Sequence, residues 1–222
     1  MGRIITYNGK FVKGASGRIA SVPAAPAPSG AVIGGKTYPT VDMPDGNTWL
    51  AVNLDYAWTG LSVPTSDAST SMDPQAMYYD YDENTYGWDG YKCGLLYNWF
   101  AVDYLELNKA TLCPGWHVPS TAEWDALATA VGGGSTAGTK LKASNVSWAS
   151  SWGGTDDYGF AVLPAGFFSG RFFFVDSFAY FWTATEYSSS NAYSRYFDTR
   201  AQMSSGNISK YRQHSVRLVK DS

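Results

Sequence analysis

Few residues in this chain carry chemistry that their spacing alone can identify. There are two cysteines, Cys93 in YKCG and Cys113 in TLCPG. Neither lies in a Cys/His cluster of metal-ligand spacing. Two thiols permit at most one intrachain disulfide and do not fix the redox compartment. Of the two histidines, His117 in GWHVP reads as a satisfied packing residue, and His214, at the edge of a final strand, as a displayed one. Asp80, Asp82 and Asn84 have the alternating spacing of an EF-hand loop, but Thr85 stands where Gly is needed and Tyr91 where the closing Glu belongs. That segment reads as a solvated turn, with a structural calcium site as the alternative. No Gly-rich phosphate loop, Gly-x-Ser-x-Gly elbow or HExxH occurs. Gly132-Gly133-Gly134 reads as a helix cap and turn. The expectation is a protein that is not an enzyme and needs no cofactor.

A different chemistry, that of contact, is concentrated near the C-terminus. From Phe178 to Val219 apolar ends enclose a run of Ser, Asn, Tyr, Arg, Asp and Gln with almost no aliphatic content. Tyrosines give large contact area with only two torsions to immobilise, and Ser, Asn and Asp add adaptable hydrogen bonds. Arginines can anchor carboxylates or stack on aromatic rings. The candidate ligand-binding residues are Glu186, Tyr187, Asn191, Tyr193, Arg195, Tyr196, Asp198, Arg200, Gln202, Asn207, Tyr211, Arg212 and His214. Alternation puts Tyr193 with Phe197 on one side, and makes Tyr196 and Asp198 the more exposed pair.

The composition suits such a module. The 222 residues include 45% hydrophobic and only 16% charged residues, with 9 Trp, 16 Tyr and 23 Gly. That is enough for a real core, and it favours strands and loops over a helical bundle. A formal charge of −3 and the lack of any Lys/Arg block argue against nucleic acid. MGRIITYNGKFV lacks the features of a secretory signal, and no stretch approaches the ~20 apolar residues that span a bilayer.

The elements that must hold the contact residues follow in order. Residues 3–13 predict a hairpin turning at Asn8-Gly9, where both residues take positive φ. SVPAAPAPSG reads as a semi-stiff extended linker. The division is therefore residues 1–20 as an attachment or assembly arm, 21–30 as linker and 31–222 as the main domain. Within the domain, Asn47–Leu54 predicts a strand, Tyr56–Asp89 an irregular region, and Gly94–Val102 a buried strand or short helix. Ser120 and Glu123 form a capping box for a helix with Trp124, Leu127, Ala128 and Val131 on one face. Tyr158–Leu163 and Arg171–Val175 predict strands around a Pro164-Ala165-Gly166 turn, Phe178–Thr183 is aromatic, and Ser215–Val219 predicts the last strand. The class is α+β with few helices, a small antiparallel sheet and long loops.

Several segments together resemble the Fibrobacter succinogenes major paralogous domain family, whose members look C-type-lectin-like. They are TWLAVNL, GLLYNWFAV, LCPGWHVPSTAEWDAL, Leu141-Lys142-Ala143, DYGFAVLPAG, YFWTATEY and SVRLVKD, in family order from about Gly34 onward. The resemblance implies that the domain's first and last strands pair and that the last third forms an exposed face. In related proteins diversified by retroelements this terminal region varies and binds partners. Family members often carry a Cys where this chain has Leu218, so the bridge to Cys113 that the resemblance implies cannot form. The formylglycine-generating enzymes share the broader fold, and an enzyme using Cys93 and Cys113 is the weaker alternative. Calcium-dependent sugar motifs of this fold are missing. The resulting expectation is an adhesin or receptor-binding module, displaying Tyr187 to His214 to a protein or glycan on a target cell. A phage tail or a bacterial surface would be its setting, with homo-oligomerisation through residues 1–20 and no membrane insertion. A structural assembly domain is the competing class.

Overall fold

Short strands joined by tight turns dominate the computed structural model, which describes residues 6–7, 10–11, 30–65, 71–82, 86–88 and 91–222. Two-residue strands β1 (Thr6–Tyr7) and β2 (Lys10–Phe11) pair antiparallel, as a hairpin requires. The Asn8-Gly9 turn, the rest of the arm and residues 21–29 of the linker lie outside the described residues, as does Asn84 of the calcium alternative.

The domain opens with β3 (Gly30–Ile33), β4 (Lys36–Asp42) and β5 (Thr48–Leu50). After β6 (Ala76–Met77) and a small pair, β7 (Gly87–Trp88) and β8 (Tyr91–Lys92), comes β9 (Leu96–Asn98). The apolar run at Gly94–Val102 thus supplies both a strand and a helix. Asn98 ends the strand and caps α1 (Trp99–Leu107), its side chain accepting from the Ala101 amide at 2.9 Å. Then follow α2 (Lys109–Leu112), β10 (Trp116–His117) and α3 (Thr121–Ala130). The Ser120/Glu123 capping box is formed on both sides. The glycine run does more than end α3. Gly133, at φ 94°, is the N-cap of a further helix, α4 (Gly134–Leu141), which the sequence pattern did not predict.

The predicted strand at Tyr158–Leu163 is absent. Asp156, Gly159 and Ala161 all have left-handed backbone, so the segment bends, with only a bridge between Val162 and Lys142. The predicted turn at Pro164-Ala165-Gly166 instead leads into β11 (Ala165–Phe168), which pairs with β12 (Phe172–Val175). Next are β13 (Ala179–Glu186), β14 (Asn191–Phe197) and β15 (Met203–Ser209). The last strand predicted at Ser215–Val219 falls mostly between two short strands, β16 (Gln213–His214) and β17 (Val219–Lys220), which lie in different sheets.

The fold is mixed α+β and mostly β. Its sheets are larger than the small antiparallel one expected: β10-β17-β5-β4-β3, and β15-β14-β13-β11-β16-β9-β6 with β12 beside β11. Only the β11–β13 pairing within them is parallel. The first strands and the last do pair, with Trp49 opposite Val219. Two hydrophobic clusters fill the interior, one around Trp49, Trp124 and Phe160, the other around Tyr97, Trp99 and Trp182.

Arg217 lies where the chain passes from one sheet to the other and is fully buried. Its guanidinium donates to Asn53 Oδ1 and to the Leu50, Phe160 and Ala161 carbonyls at 2.7 to 3.1 Å, and lies over the Phe160 ring. Burial pulls its pKa down to about 9, so it is still charged at neutral pH. Replacing Arg217 with Met leaves four buried acceptors without a donor. Urea unfolding should show a loss of at least about 3 kcal/mol. Lys should not restore it, because an ammonium cannot match the planar fork.

Candidate ligand-binding groove

Period two along β14 and β15 sorts the candidate residues onto two opposite faces. Tyr193 stands opposite Asn207 and Arg195 opposite Ser205, so these four share one face. Across from them lies the first part of α3, fixed by its capping box, which brings Thr121 and Asp125 alongside. Together with Gly206 these residues line an open groove of about 500 Å³. It continues past Ala128, Thr129 and Gly134 toward Met203.

Arg195 forms the floor and is only 3% exposed. Its Nη2 donates to the Thr121 carbonyl at 3.0 Å and to Asp125 Oδ1 at 2.7 Å. Its Nε has no partner among the described residues. The Asp125 carboxylate is largely exposed in the groove, so its second oxygen is open to a ligand. At the upper end the Asn191 amide donates to Asn207 Oδ1, and the exposed Tyr187 ring meets Tyr193 edge-on at 5.2 Å. The groove therefore offers a carboxylate, amides, hydroxyls, a fixed cation and two tyrosines.

The other candidates go elsewhere. Asp198 is buried, not exposed as expected, because it accepts from the backbone and guanidinium of Arg200. Those bonds to Arg200 hold its carboxyl below the usual range against the opposing effect of burial. Arg200 itself is exposed, and Tyr196 is half-buried on the far face with Tyr180. Glu186 pairs with Lys210, Tyr211 packs on Phe100, and Gln202 donates to Ser204. Arg212 lies over the Phe167 ring. His214 is not displayed. It is fully buried, stacked on Trp182 at 4.3 Å, and neither ring nitrogen has a partner among the described residues.

His117 is the satisfied residue the sequence suggested. Its Nδ1 meets Asp221 at 2.6 Å and its Nε2 meets Glu123 at 2.7 Å. Hydrogen bonding to Glu123 raises its pKa against the effect of burial. Burial opposes the charge on Glu123, but hydrogen bonds from His117 and Ser120 outweigh it and bring its pKa to about 2. Both thiols are free and buried, in different clusters, and burial pushes each up to about 12. Among the described residues no three His, Cys, Asp or Glu side chains converge as a metal site would need.

Residues 45–220 match the Fibrobacter succinogenes major domain. The chain belongs to that family. No curated protein and no solved structure matches it. Segments within the matched range hold the structure described above. Lys142, in the Leu141-Lys142-Ala143 segment, donates to the Asp198 and Arg200 carbonyls, and GWHVPS supplies His117 and the α3 cap. The sequence reading missed Thr121, Asp125 and Ser205. One signal was available for Asp125: it follows the capping box on the polar side of α3, facing away from Trp124 and Leu127.

Opposite pH responses follow from the two histidines. Burial, with Arg212 nearby, holds His214 well below the usual histidine value. The unfolded state therefore takes up a proton, below about pH 6.5, that the folded state refuses, and stability falls as pH drops. His117 has a raised pKa, so its contribution is complete below about pH 6.5 and fades as pH rises through the raised value. Urea midpoints measured from about pH 7 to 5 should flatten in His214→Phe. In His117→Gln, followed up to about pH 8.5, the slope should change only above about pH 6.5, where the native chain gains stability as His117 takes up its proton.

Proposed function

We propose that this chain is a non-catalytic ligand-binding module and that the groove between β14, β15 and α3 takes the ligand, a protein or glycan surface. The observation that carries this is the convergence of Tyr193, Arg195, Asn207, Ser205, Thr121 and Asp125 on one open concavity. Such a site recognises a polar ligand by several directed hydrogen bonds around an aromatic contact. Arg195 is held before any ligand arrives, so little ordering entropy is lost on binding. The buried, high-pKa thiols support the non-catalytic reading, since a reactive cysteine needs an accessible thiolate.

The finer assignment also belongs to this reading. Pairing of β5 with the last strand and a polar groove carried by β14 and β15 support a C-type-lectin-like domain, of the kind retroelements diversify. A phage tail or bacterial surface, with the N-terminal arm as the attachment or oligomerisation element, is the setting we infer. Among the described residues no helix is long and apolar enough to cross a membrane.

The test is a screen of the full chain on glycan arrays and on target-cell surface proteins. A ligand of the groove should lose about tenfold or more in affinity with Tyr193→Ala or Asp125→Asn, a change typical of central contact residues. A ligand indifferent to both substitutions would remove the groove from consideration.

A further inference from the structure

The opposite face of the same strands has another chemistry. Tyr180 and Tyr196 face each other across β13 and β14 with rings 5.5 Å apart, and the ring contacts continue through Phe178 to Phe174. Below them Phe167 and Phe173 stack at 5.1 Å. Phe174 is half-exposed and holds a left-handed backbone, φ 58°. A bulky residue rarely adopts that conformation, which Gly or Asn would accept with less strain. Strain and exposure at one aromatic side chain are a combination that folding alone does not favour.

Two arginines flank the rings. The Arg212 guanidinium lies over Phe167 at 5.0 Å and that of Arg171 over Phe173 at 4.7 Å. Among the described residues neither makes an ion pair or a side-chain hydrogen bond. Arg200, close to Tyr196, is by contrast bound to Asp198. The face thus holds two oriented cations whose donors are open, around an apolar projection.

We propose that this face docks a protein partner presenting an apolar pocket bordered by aspartate or glutamate. Phe174 is the anchor, and Arg171 and Arg212 meet carboxylates at the rim. Aromatic residues and arginine together are the mixture enriched at the energetic centres of protein interfaces. The exposed anchor is a phenyl ring with no polar edge, which favours an apolar pocket. A second copy of this chain fits less well, because two-fold pairing of the face would bring arginines against arginines. Guanidiniums already stacked on rings lose little freedom when they bind carboxylates. The proposal concerns a surface separate from the groove and stands or falls independently of it.

Defined peptides test it. Short peptides with a Leu/Phe centre flanked by glutamates are titrated into the full chain. The same centres flanked by lysines, glutamate-only peptides and single-stranded DNA serve as comparisons, DNA because aromatic–arginine surfaces also bind it. Only the glutamate-flanked apolar peptides should bind, more weakly as salt rises. Phe174→Asn and the double variant Arg171→Gln/Arg212→Gln should each reduce affinity about tenfold or more, with the far-UV spectrum unchanged and the melting midpoint not lowered. Should Phe174→Asn lower the midpoint, the arginine variant decides. Absence of peptide binding, equal binding of the lysine-flanked or glutamate-only peptides, preference for DNA, or indifference to these substitutions would each overturn the proposal.

Discussion

The buried guanidinium of Arg217 is the constraint on which the rest of the structure depends. It sits among backbone carbonyls from Leu50, Phe160 and Ala161 and the Asn53 side chain, and among the described residues no carboxylate hydrogen-bonds to it. A desolvated cation is costly, and several acceptors must be aimed at it to offset that cost. The bend at residues 156–161, left-handed at Asp156, Gly159 and Ala161, turns two carbonyls toward it, and Asp156 holds the bend by accepting from the Ala161 amide. Val216 and Leu218 are meanwhile tied by their own carbonyls to the Leu54 and Leu50 amides. The last residues therefore strap the two sheets together, and the order of strands around β16 follows from that strap.

Lys142 repeats the device on a smaller scale. Fully buried, with its pKa brought down to about 8 by burial, it donates to the Asp198 and Arg200 carbonyls. Irregular chain normally stays at the surface because its backbone groups need water. Here long cationic side chains take the place of that water, so loops can be packed inside a domain with few helices. The close approach of α4 adds to this: a Cβ at Gly138 would lie 2.4 Å from the Gln202 carbonyl oxygen, so only glycine fits there.

These features explain which parts of the sequence were legible. The α3 cap was, because its signal is local and complete within four residues. The polar and tyrosine-rich make-up of β14 and β15 was, because it is a property of composition. Strand prediction failed at Tyr158–Leu163 because the demand on those residues comes from Arg217, far along the chain. Burial along β13–β15 was misjudged for a related reason. Alternation tells which residues share a face, but α3 covers part of one face and α1 part of the other, so neither parity is wholly core. Arg195 is buried by such a partial cover, His214 by the rings of Trp182, Tyr180 and Phe167, and Asp198 by its own turn. Several aromatic residues between Arg171 and Tyr180 stay partly exposed, because too many rings compete there for too little interior.

Register is what ties this fold to its surfaces. On β14 and β15 the odd positions Tyr193, Arg195, Ser205 and Asn207 line the polar groove, while Tyr196 on the even set contributes to the aromatic face. A slip of one residue would exchange the two sets. A polar, serine-rich strand such as β15 has little hydrophobic pattern of its own to prevent this. The turn before it must supply the constraint. Lys142 pins that turn through two carbonyls, and the Thr139 amide pins it through the Ala201 carbonyl. With the register held from outside the strands, side chains on them can change widely without moving the backbone. Support and side-chain display are thus separated here, with the support in α4 and Lys142.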